Sequence, residues 1–419
     1  MKKKYIYKYI SLIIFIGCLF ILIFAKQFTG NLKKYIIYHY TEIFNPIEKN
    51  VFSNNYNLTL SSIEIDSQNI YGGLDIFNDR LFYIDGRGNF FEIIDENNFK
   101  IITLPKLFTG FENFKKDFDQ ENTNYELFSI KDISFGKHNE KNAIYLSYIE
   151  YDSINNCYRL SLSVSTFTEI NGDFIFDDFL KIFQTNPCLN KHPSQNFAGT
   201  SAGGRIEKAN ENEIYLSTGD FYFDGVNAVN VVDNGDYGKI HLINPNTGSV
   251  KVISEGHRNP QGLLQTPLGL FETEHGPQGG DELNLINLDT ISNYGWPYAT
   301  YGVDYGKKKW PLDLKNNNHK NYNEPLYFWI PSIGVSNLLF IDNNNKYFEA
   351  WENNLLVSSL KDKSIYRFKL NENQNVIGIE RIFIGLRIRD LILHNNKIVL
   401  LEDRGGLNSK IYFLEKIIN

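Results

Sequence analysis

The 419-residue sequence lacks three patterns that would place it in common classes of protein. No run rich in lysine and arginine follows the N-terminal segment, and 49 acidic residues outnumber 42 basic ones. Because a protein that follows a phosphate backbone needs a basic surface, nucleic acid is excluded as an expected partner. No linker rich in proline, serine or charge divides the chain. No amphipathic pattern after the N-terminal segment is long enough for a helix of about ten residues.

The sequence has instead a succession of short strand patterns. Each carries aromatic or β-branched residues at about every second position and ends in an Asn, Asp or Gly turn. With 42% hydrophobic and 15% aromatic residues to fill a core, this alternation predicts an all-β body. The clearest examples are residues 80–94, 143–167, 213–220, 239–253, 353–370 and 397–415.

The number of these strands indicates how the body is built. More than a dozen short strands are too many for one small sandwich. Four-stranded sheets repeated around an axis, a β-propeller, accommodate them, although no strict repeat signature is present. Two β-sandwiches in tandem are the alternative.

The N-terminal segment predicts a membrane anchor. Three lysines at positions 2–4 precede an uncharged apolar run, residues 9–25, near the lower end of the roughly 17–25 residues that span a bilayer. No A-x-A cleavage signal follows this run, so we expect an uncleaved transmembrane helix within residues 1–30. The flanking lysines favour a cytoplasmic N-terminus and a periplasmic or other extracytoplasmic body. We therefore divide the chain into an anchor (1–30), a stalk (31–55) and a body (56–419).

The sequence contains three cysteines. Cys18 lies within the apolar run and is expected in the membrane. Cys157 and Cys188 belong to the body, where an oxidising compartment permits a disulfide between them. Because sequence does not give the distance between two cysteines, a bridge and two separate thiols both remain open.

The stretch GTSAG, residues 199–203, matches the G-x-S-x-G pattern of a hydrolase nucleophile elbow. That motif needs a helix directly after its serine. The sequence after Ser201 predicts a strand, an Asn-containing turn and a second strand instead. Ser201 is therefore not expected to be a nucleophile.

Residues 254–306 hold the highest density of unusual residues. Arg258, Asn259 and Gln261 share one tight turn rich in Pro and Gly. A guanidinium with two amides suits a planar, oxygen-rich anion as a ligand.

Further along the same stretch, Gly276 and Pro277 have backbone carbonyls available near several carboxylates, those of Glu274, Asp281 and Glu282. Such a cluster of oxygens suits Ca²⁺. Turns with ordinary solvated acids are the alternative that the spacing leaves open.

Three motifs in this stretch carry a resemblance to a known family. They are GHRNPQG at 256–262, EHGPQGGDELN at 274–284 and NYGWP at 293–297. In this order and spacing they resemble the soluble quinoprotein glucose/sorbosone dehydrogenases, especially the aldose sugar dehydrogenase branch. The resemblance implies a six-bladed β-propeller that binds pyrroloquinoline quinone (PQQ) and Ca²⁺ and oxidises an aldose to its lactone with an external electron acceptor. It continues through residues 237–243, 329–341, 357–370 and 386–403.

The resemblance also assigns the residues that hold the cofactor. A quinone with three carboxylates suits several cations that converge from different blades. The six assigned side chains are Arg258, Asn259, Gln261, Lys361, Arg387 and Arg389. For the last three, surface charge paired with Asp362 and Asp390 is the alternative.

For calcium, the resemblance assigns the backbone carbonyls of Gly276 and Pro277 to an ion beside the quinone. Glu282 and Tyr294 are assigned to a second, structural ion.

The sequence departs from the family at the residue expected to act as general base. The family carries H-x-G-G-R, in which the histidine accepts the proton of the sugar's anomeric hydroxyl, whereas this chain has Ser201 in that position. The catalytic candidates are therefore Arg258 and, in the base position, Ser201. A neutral hydroxyl does not accept a proton near pH 7, and loss of a general base commonly costs about 10²–10⁴ in rate. His192, slightly earlier in the chain, is a possible substitute.

Two functions follow from these observations. The first is a membrane-anchored quinoprotein dehydrogenase that uses another base. The second is a propeller that binds quinone, calcium or sugar without turnover, which the loss of the histidine favours. A Ca²⁺-dependent six-bladed lactonase is disfavoured because the motifs follow the quinoprotein pattern.

Overall fold

The computed structural model describes residues 50–68, 71–118, 128–190, 199, 201–221, 233–303, 319–405 and 407–417. The predicted anchor, most of the predicted stalk and His192 lie outside these ranges. Within the ranges, no helix combines the length and the apolar character needed to cross a bilayer. The anchor therefore stays a prediction.

The described body is built from antiparallel strands connected largely by short turns. In the first half of the chain the strands are β1 (Asn50–Phe52), β2 (Asn57–Gln68), β3 (Gly73–Phe77), β4 (Arg80–Ile84), β5 (Phe90–Ile93), β6 (Phe99–Ile102), β7 (Ile130–His138), β8 (Lys141–Asp152), β9 (Cys157–Ile170), β10 (Asp173–Phe176), β11 (Leu180–Gln184), β12 (Gly203–Lys208) and β13 (Ile214–Thr218).

In the second half the strands are β14 (Lys239–Asn244), β15 (Ser249–Glu255), β16 (Pro260–Thr266), β17 (Gly269–Glu274), β18 (Asp281–Ile286), β19 (Ser292–Asn293), β20 (Tyr327–Trp329), β21 (Val335–Ile341), β22 (Asn354–Ser359), β23 (Ser364–Leu370), β24 (Val376–Phe383), β25 (Ile388–His394), β26 (Lys397–Glu402) and β27 (Asn408–Lys416). A short helix, α1 (Phe111–Asp117), and a 3-10 turn, Glu349–Trp351, lie outside the sheets. The hairpins predicted from alternation are confirmed.

The described strands form six sheets, which are the blades of a propeller. Blades 1 to 5 start from β3, β7, β12, β16 and β21, and blade 6 starts from β25. These six innermost strands contact one another in that order and β25 contacts β3, so the ring closes. Blade 6 joins the two ends of the body, because β2 pairs with the last strand, β27. Strand β1, in the range predicted for the stalk, pairs with β2.

The core is divided into six hydrophobic clusters, and each cluster lies between two neighbouring blades. The cluster between blades 5 and 6, for example, packs Trp351 and Phe348 against Leu58 and Leu414. Both faces of each sheet are therefore buried along much of their length. This arrangement explains why the strands carry more apolar residues than a sheet with one wet face.

A disulfide connects Cys157, the first residue of β9, to Cys188, with 5.6 Å between their Cα atoms. The structure thus decides between the two possibilities that spacing left open. The bridge connects the start of β9 to the segment that follows β11, and both strands belong to blade 2.

A buried ion-pair network, which we call the hub, occupies the centre of the ring. Arg205, on β12, places Nη1 2.9 Å from Asp132 Oδ1 and 3.2 Å from Asp390 Oδ2. Its Nε donates a hydrogen bond to the carbonyl of Gln261 at 2.7 Å. The side chains are almost fully buried, and they connect blades 2, 3, 4 and 6.

The other two blades reach the hub through Asp390. The backbone N–H of Leu74, on β3, donates to Asp390 Oδ2 at 2.9 Å. The side-chain amide of Asn337, on β21, donates to Asp390 Oδ1. One carboxylate and one guanidinium thus connect all six blades.

Loss of Arg205 tests the hub. We expect Arg205→Met to lower the free energy of unfolding by about 3–5 kcal/mol, because Asp132 and Asp390 would keep buried charges without a counterion. The measurement is reversible urea denaturation. The matched control is Arg381→Met, whose ion pair with Asp362 leaves 47% of the Arg381 side chain exposed and is expected to contribute under about 1 kcal/mol. Equal losses in the two variants would contradict a special role for the hub.

Candidate functional site

The candidate site lies where the six innermost strands begin, and we call this face of the ring the mouth. The contacts between strand starts define it. The N–H of Gly72, before β3, donates to the carbonyl of Ile130, the first residue of β7. The N–H of Gly203, the first residue of β12, donates to Asn259 Oδ1, just before β16. The starts of different blades therefore meet around one opening.

The predicted turn of Arg258, Asn259 and Gln261 lies in the mouth, and a buried carboxylate fixes its backbone. Glu274 Oε2 accepts hydrogen bonds from the backbone N–H groups of Arg258 at 2.5 Å and Asn259 at 3.3 Å. Arg258 Nη1 donates to the carbonyl of Gly276 at 2.9 Å, and the guanidinium lies 5.3 Å from the centre of the Trp296 ring. The buried carboxylate fixes the turn, and the arginine is oriented by a carbonyl and an aromatic face.

A chain of polar side chains connects this turn to blade 6. Gln261 Nε2 donates to Asn259 Oδ1 at 2.9 Å, and Arg389 Nη1 donates to Gln261 Oε1 at 3.1 Å. The carbonyls of the same two residues, Gln261 and Arg389, accept hydrogen bonds from Arg205 of the hub. The hub therefore sets the position of the side chains above it.

Arg387 and Arg389 meet at one carboxylate. Asp403 Oδ2 lies 2.5 Å from Arg389 Nη2 and 3.5 Å from Arg387 Nη2. Burial of Asp403 raises its pKa, but the two guanidiniums outweigh burial and hold the pKa below its ordinary value. The surface pairing with Asp390 that the sequence left open is not found, because Asp390 belongs to the hub.

Lys361 lies at the rim of the mouth. Its backbone N–H donates to the carbonyl of Ile333, two residues before β21. Its side chain is exposed and has no ion pair among the described residues, whereas Asp362 pairs with Arg381. An exposed amine beside an opening is available to an anionic ligand.

Ser201 lies at the start of blade 3 in a left-handed backbone conformation, with φ of 56°. Its carbonyl accepts a hydrogen bond from the N–H of Phe221 at 2.9 Å. Gly219 packs so closely that an added Cβ would lie 2.0 Å from the Ser201 carbonyl oxygen. Strand β12 follows at Gly203, so the prediction that no helix follows Ser201 is confirmed and the nucleophile-elbow interpretation stays excluded.

A small cavity brings together several of the predicted calcium ligands. Its volume, about 10 Å³, is that of roughly one water-sized sphere. The lining includes Gly276, Glu282 and Tyr294 together with Glu274. Pro277 does not line it. Because two carboxylates, those of Glu274 and Glu282, line a space of this size, the residues fit a single Ca²⁺ ion.

The charge around this cavity favours a cation. Glu272 and Glu274 carry oxygens that lie, with His257 Nδ1, within 4.8 Å of one another, and all three residues are buried. Burial raises the pKa of Glu272 well above its ordinary value and that of Glu282 to about 7. Glu272 Oε1 is buried and has no hydrogen-bond partner. Carboxylates in this setting are expensive to ionise unless a cation joins them.

Two other residues of these motifs, Asp281 and His257, have structural roles. Asp281 Oδ2 accepts hydrogen bonds from the N–H groups of Gly334 and Val335, so it ties blade 4 to blade 5 and is not placed as a calcium ligand. His257 stacks on Tyr294 with 5.0 Å between ring centres and so packs inside the body.

Sequence reasoning missed four residues of the mouth and the cavity. They are Tyr71, Lys131, Glu272 and Asp403. Lys131 and Glu272 lie in strands β7 and β17 together with other charged residues, such as Asp132 and Glu274, so charge within a strand did not distinguish them. Tyr71 and Asp403 lie in connections, where the sequence gave no signal either.

The family to which the chain belongs follows from comparison with known proteins. The glucose/sorbosone dehydrogenase family model matches residues 130–408, more than half of the chain. The chain is a member of the glucose/sorbosone dehydrogenase family, and the resemblance predicted from the three motifs is confirmed.

Two curated relatives are similar in sequence. Aldose sugar dehydrogenase YliI of Escherichia coli (strain K12) is 30% identical over 228 residues, which are 51% of this chain and 58% of the relative. Quinoprotein glucose dehydrogenase B of Acinetobacter calcoaceticus is 30% identical over 226 residues, which are 40% of this chain and 46% of the relative. The matched part spans about half the length of these relatives.

Two solved structures share the fold. The soluble aldose sugar dehydrogenase of Escherichia coli in its apo form matches with a TM-score of 0.66 and 21% identity over 86% of this chain and all of that one. The PQQ-bound aldose sugar dehydrogenase of Streptomyces coelicolor matches with a TM-score of 0.55 and 17% identity over 85% of this chain and 98% of that one. The all-β, six-bladed propeller predicted from the sequence is confirmed.

Calcium addition tests the cavity. At about 100 times its dissociation constant, an ion bound to the folded state adds about 2.7 kcal/mol, which corresponds to a rise in Tm of roughly 5 °C for a large domain. We expect this rise in the parent protein and its loss in Glu282→Gln. The control is Asp289→Asn, an exposed acid after β18, which should keep the rise. Calcium stabilisation of equal size in both variants would contradict the site.

Proposed function

We propose that this protein is a PQQ- and Ca²⁺-dependent dehydrogenase that oxidises an aldose sugar or a related alcohol to its lactone and passes the electrons to an external acceptor. Family membership and the names of the relatives, which are sugar dehydrogenases, support the class of reaction. Support for the cofactor comes from the quinoprotein relative and from the PQQ-bound structure with the same fold.

The observation that carries the proposal is the set of cations around the mouth. Arg258 comes from blade 4, Lys361 from blade 5, and Arg387 and Arg389 from blade 6. Lys361 is exposed and the Arg387 side chain is 46% exposed, so both can turn toward an anion. Four cations that converge from three blades fit a ligand with several carboxylates.

The chain's own residues then have separate tasks. Lys361 and the Arg387–Arg389 pair would hold the carboxylates of the quinone, while Asn259 and Gln261 would orient it by hydrogen bonds. Arg258, fixed by Gly276 and Trp296, places a positive charge at the reacting centre. When bound, the quinone supplies the capacity to accept a hydride from the sugar.

A second candidate function rests on Ser201. In the family pattern a histidine at this position accepts the proton, and a serine hydroxyl cannot do so near pH 7 without a base of its own. A propeller that binds quinone, calcium or sugar without turnover is therefore the alternative.

We also propose that the body works outside the cytoplasm, attached to the membrane by the predicted anchor in residues 1–30. The Cys157–Cys188 bridge supports an oxidising compartment such as the periplasm. The small-molecule partners would be a sugar and an external electron acceptor.

Reconstitution tests the proposed function. We expect the full-length protein, supplied with PQQ and Ca²⁺, to bind the quinone in an absorbance titration and to reduce a dye when an aldose from a panel is added. Quinone binding without any sugar-dependent reduction would favour the second candidate, and absence of quinone binding would overturn both.

Lys361→Met probes the cofactor contacts. Loss of a hydrogen bond to a charged group costs about 1.5–3 kcal/mol, so quinone binding should weaken by roughly 10–100-fold. The matched control is Lys369→Met, an exposed lysine on β23 of the same blade, which should bind the quinone like the parent.

Ser201→His separates the two candidates. Histidine tolerates the left-handed conformation of this position better than most residues. If the missing histidine is what limits turnover, the substitution should raise kcat by about 10²–10⁴. If another base already works in the parent, kcat should change little.

A further inference from the structure

If the proposed dehydrogenation occurs, the mouth must contain a group that accepts a proton in place of the missing histidine. Removal of a hydride from a carbon that carries a hydroxyl leaves a proton to be taken up. Ser201 cannot take it. The following assignment rests on the proposed function and names the group that does.

Lys131 is a buried amine at the mouth. It is the second residue of β7 and its exposed fraction is 7%. Its Nζ lies 3.4 Å from the carbonyl oxygen of Gly199 and 3.5 Å from the centre of the Tyr71 ring. Gly199 is two residues before Ser201, so the amine lies near the position at which the family carries its histidine.

The packing below Ser201 keeps Lys131 in this place. Gly204, on β12, adopts φ of 105°, and a Cβ added there would lie 2.6 Å from Lys131 Cβ and 2.9 Å from its Cγ. The stem of the lysine therefore lies against the backbone that follows Ser201. Any larger residue at position 204 would displace it.

Lys131 also lies beside the predicted cofactor contacts. The guanidinium of Arg389 is 4.7 Å from the centre of the same Tyr71 ring that Lys131 Nζ contacts. Arg389 donates a hydrogen bond to Gln261, which belongs to the turn expected to hold the quinone. The amine is therefore separated from that turn by only Tyr71 and Arg389. The Lys131 amine and the Arg389 guanidinium share one aromatic ring at the edge of the mouth.

The surroundings favour the neutral amine, which can accept a proton. Burial, with the positive charges of Arg389 and Arg87, lowers the pKa of Lys131 well below its ordinary value. The titratable and charged groups that face it among the described residues are Arg389 on β25, Arg87 in the turn before β5, and the Tyr71 phenol. The next residue, Asp132, is paired with Arg205 in the hub.

We propose that Lys131 is the catalytic residue that accepts the proton of the substrate hydroxyl. The O–H bond breaks and its proton goes to Lys131 Nζ. The C–H bond breaks and its electron pair leaves with the hydrogen as hydride to the oxidant, the quinone. The carbonyl bond of the lactone forms between the same carbon and oxygen. The resulting ammonium releases its proton to water.

The test compares Lys131→Met and Lys131→Arg with the parent, each as the full-length protein loaded with PQQ and Ca²⁺. Both variants should lose about 10²–10⁴ in kcat, because neither side chain accepts a proton near pH 7. Lys131→Met should bind the quinone like the parent, because the amine that it replaces is neutral and adds no charge to the cofactor contacts. The matched control is Lys239→Met, which removes another buried lysine, on β14 of blade 3, and should keep the parental kcat.

A second readout does not depend on activity. Competitive labelling of lysine amines between pH 6 and 11, read by mass spectrometry, gives the pKa of Lys131 in the unloaded parent. Lys131 should titrate well below the ordinary lysine value of about 10.4. In the loaded parent, kcat/KM should fall as the pH drops through the pKa of Lys131, because the ammonium form cannot accept a proton.

Three outcomes would overturn the assignment. If Lys131→Arg keeps parental turnover, the lysine acts as a cation, and if Lys131 labels with an ordinary pKa, it is not a base at neutral pH. If the parent is active, either result rejects Lys131 as the base and leaves the proposed dehydrogenase function in place. A parent that binds quinone but turns over no substrate removes the proposed dehydrogenase function and this assignment with it.

Discussion

The contact of Arg205 with Asp132 and Asp390 is the interaction on which the rest of the structure depends. Each hydrophobic cluster joins only two neighbouring sheets, so none of them connects all the blades at the axis. The hub supplies polar contacts from all six blades at that point. Burial removes water from the three charged groups and costs free energy. The ion pairs and hydrogen bonds among them offset that cost. A shift of any innermost strand would therefore disturb the contacts of the hub.

The hub determines the geometry of the candidate site. Gln261 and Arg389 bind Arg205 through their carbonyls and face each other through their side chains. A ligand above them therefore meets side chains that the hub already orients. Asp403 serves a similar purpose, since it holds two arginines close together despite their repulsion. Such preorganisation is what a site for a multiply charged cofactor requires.

Burial in low dielectric has opposite consequences on the two sides of the mouth. Around the small cavity it raises the pKa values of Glu272 and Glu282, so ionised carboxylates there need a cation beside them. Around Tyr71 it lowers the pKa of Lys131, so the amine tends to be neutral. The same physical cause thus makes one region suited to a metal ion and the other suited to proton uptake. If Lys131 accepts the proton as proposed, the mouth does not need a histidine at position 201.

The sequence by itself determined the local structure. Alternation predicted the β hairpins, the residues after Ser201 predicted a strand instead of a helix, and three motifs identified the family and the turn of Arg258, Asn259 and Gln261. Those features depend on neighbours along the chain, which periodicity and turn chemistry describe well. The tertiary structure alone decided the Cys157–Cys188 bridge, the closure of β2 on β27, the partners of Arg205 and the place of Lys131 beside Tyr71. These contacts join residues far apart in the chain, and only the closed ring sets the distances between them.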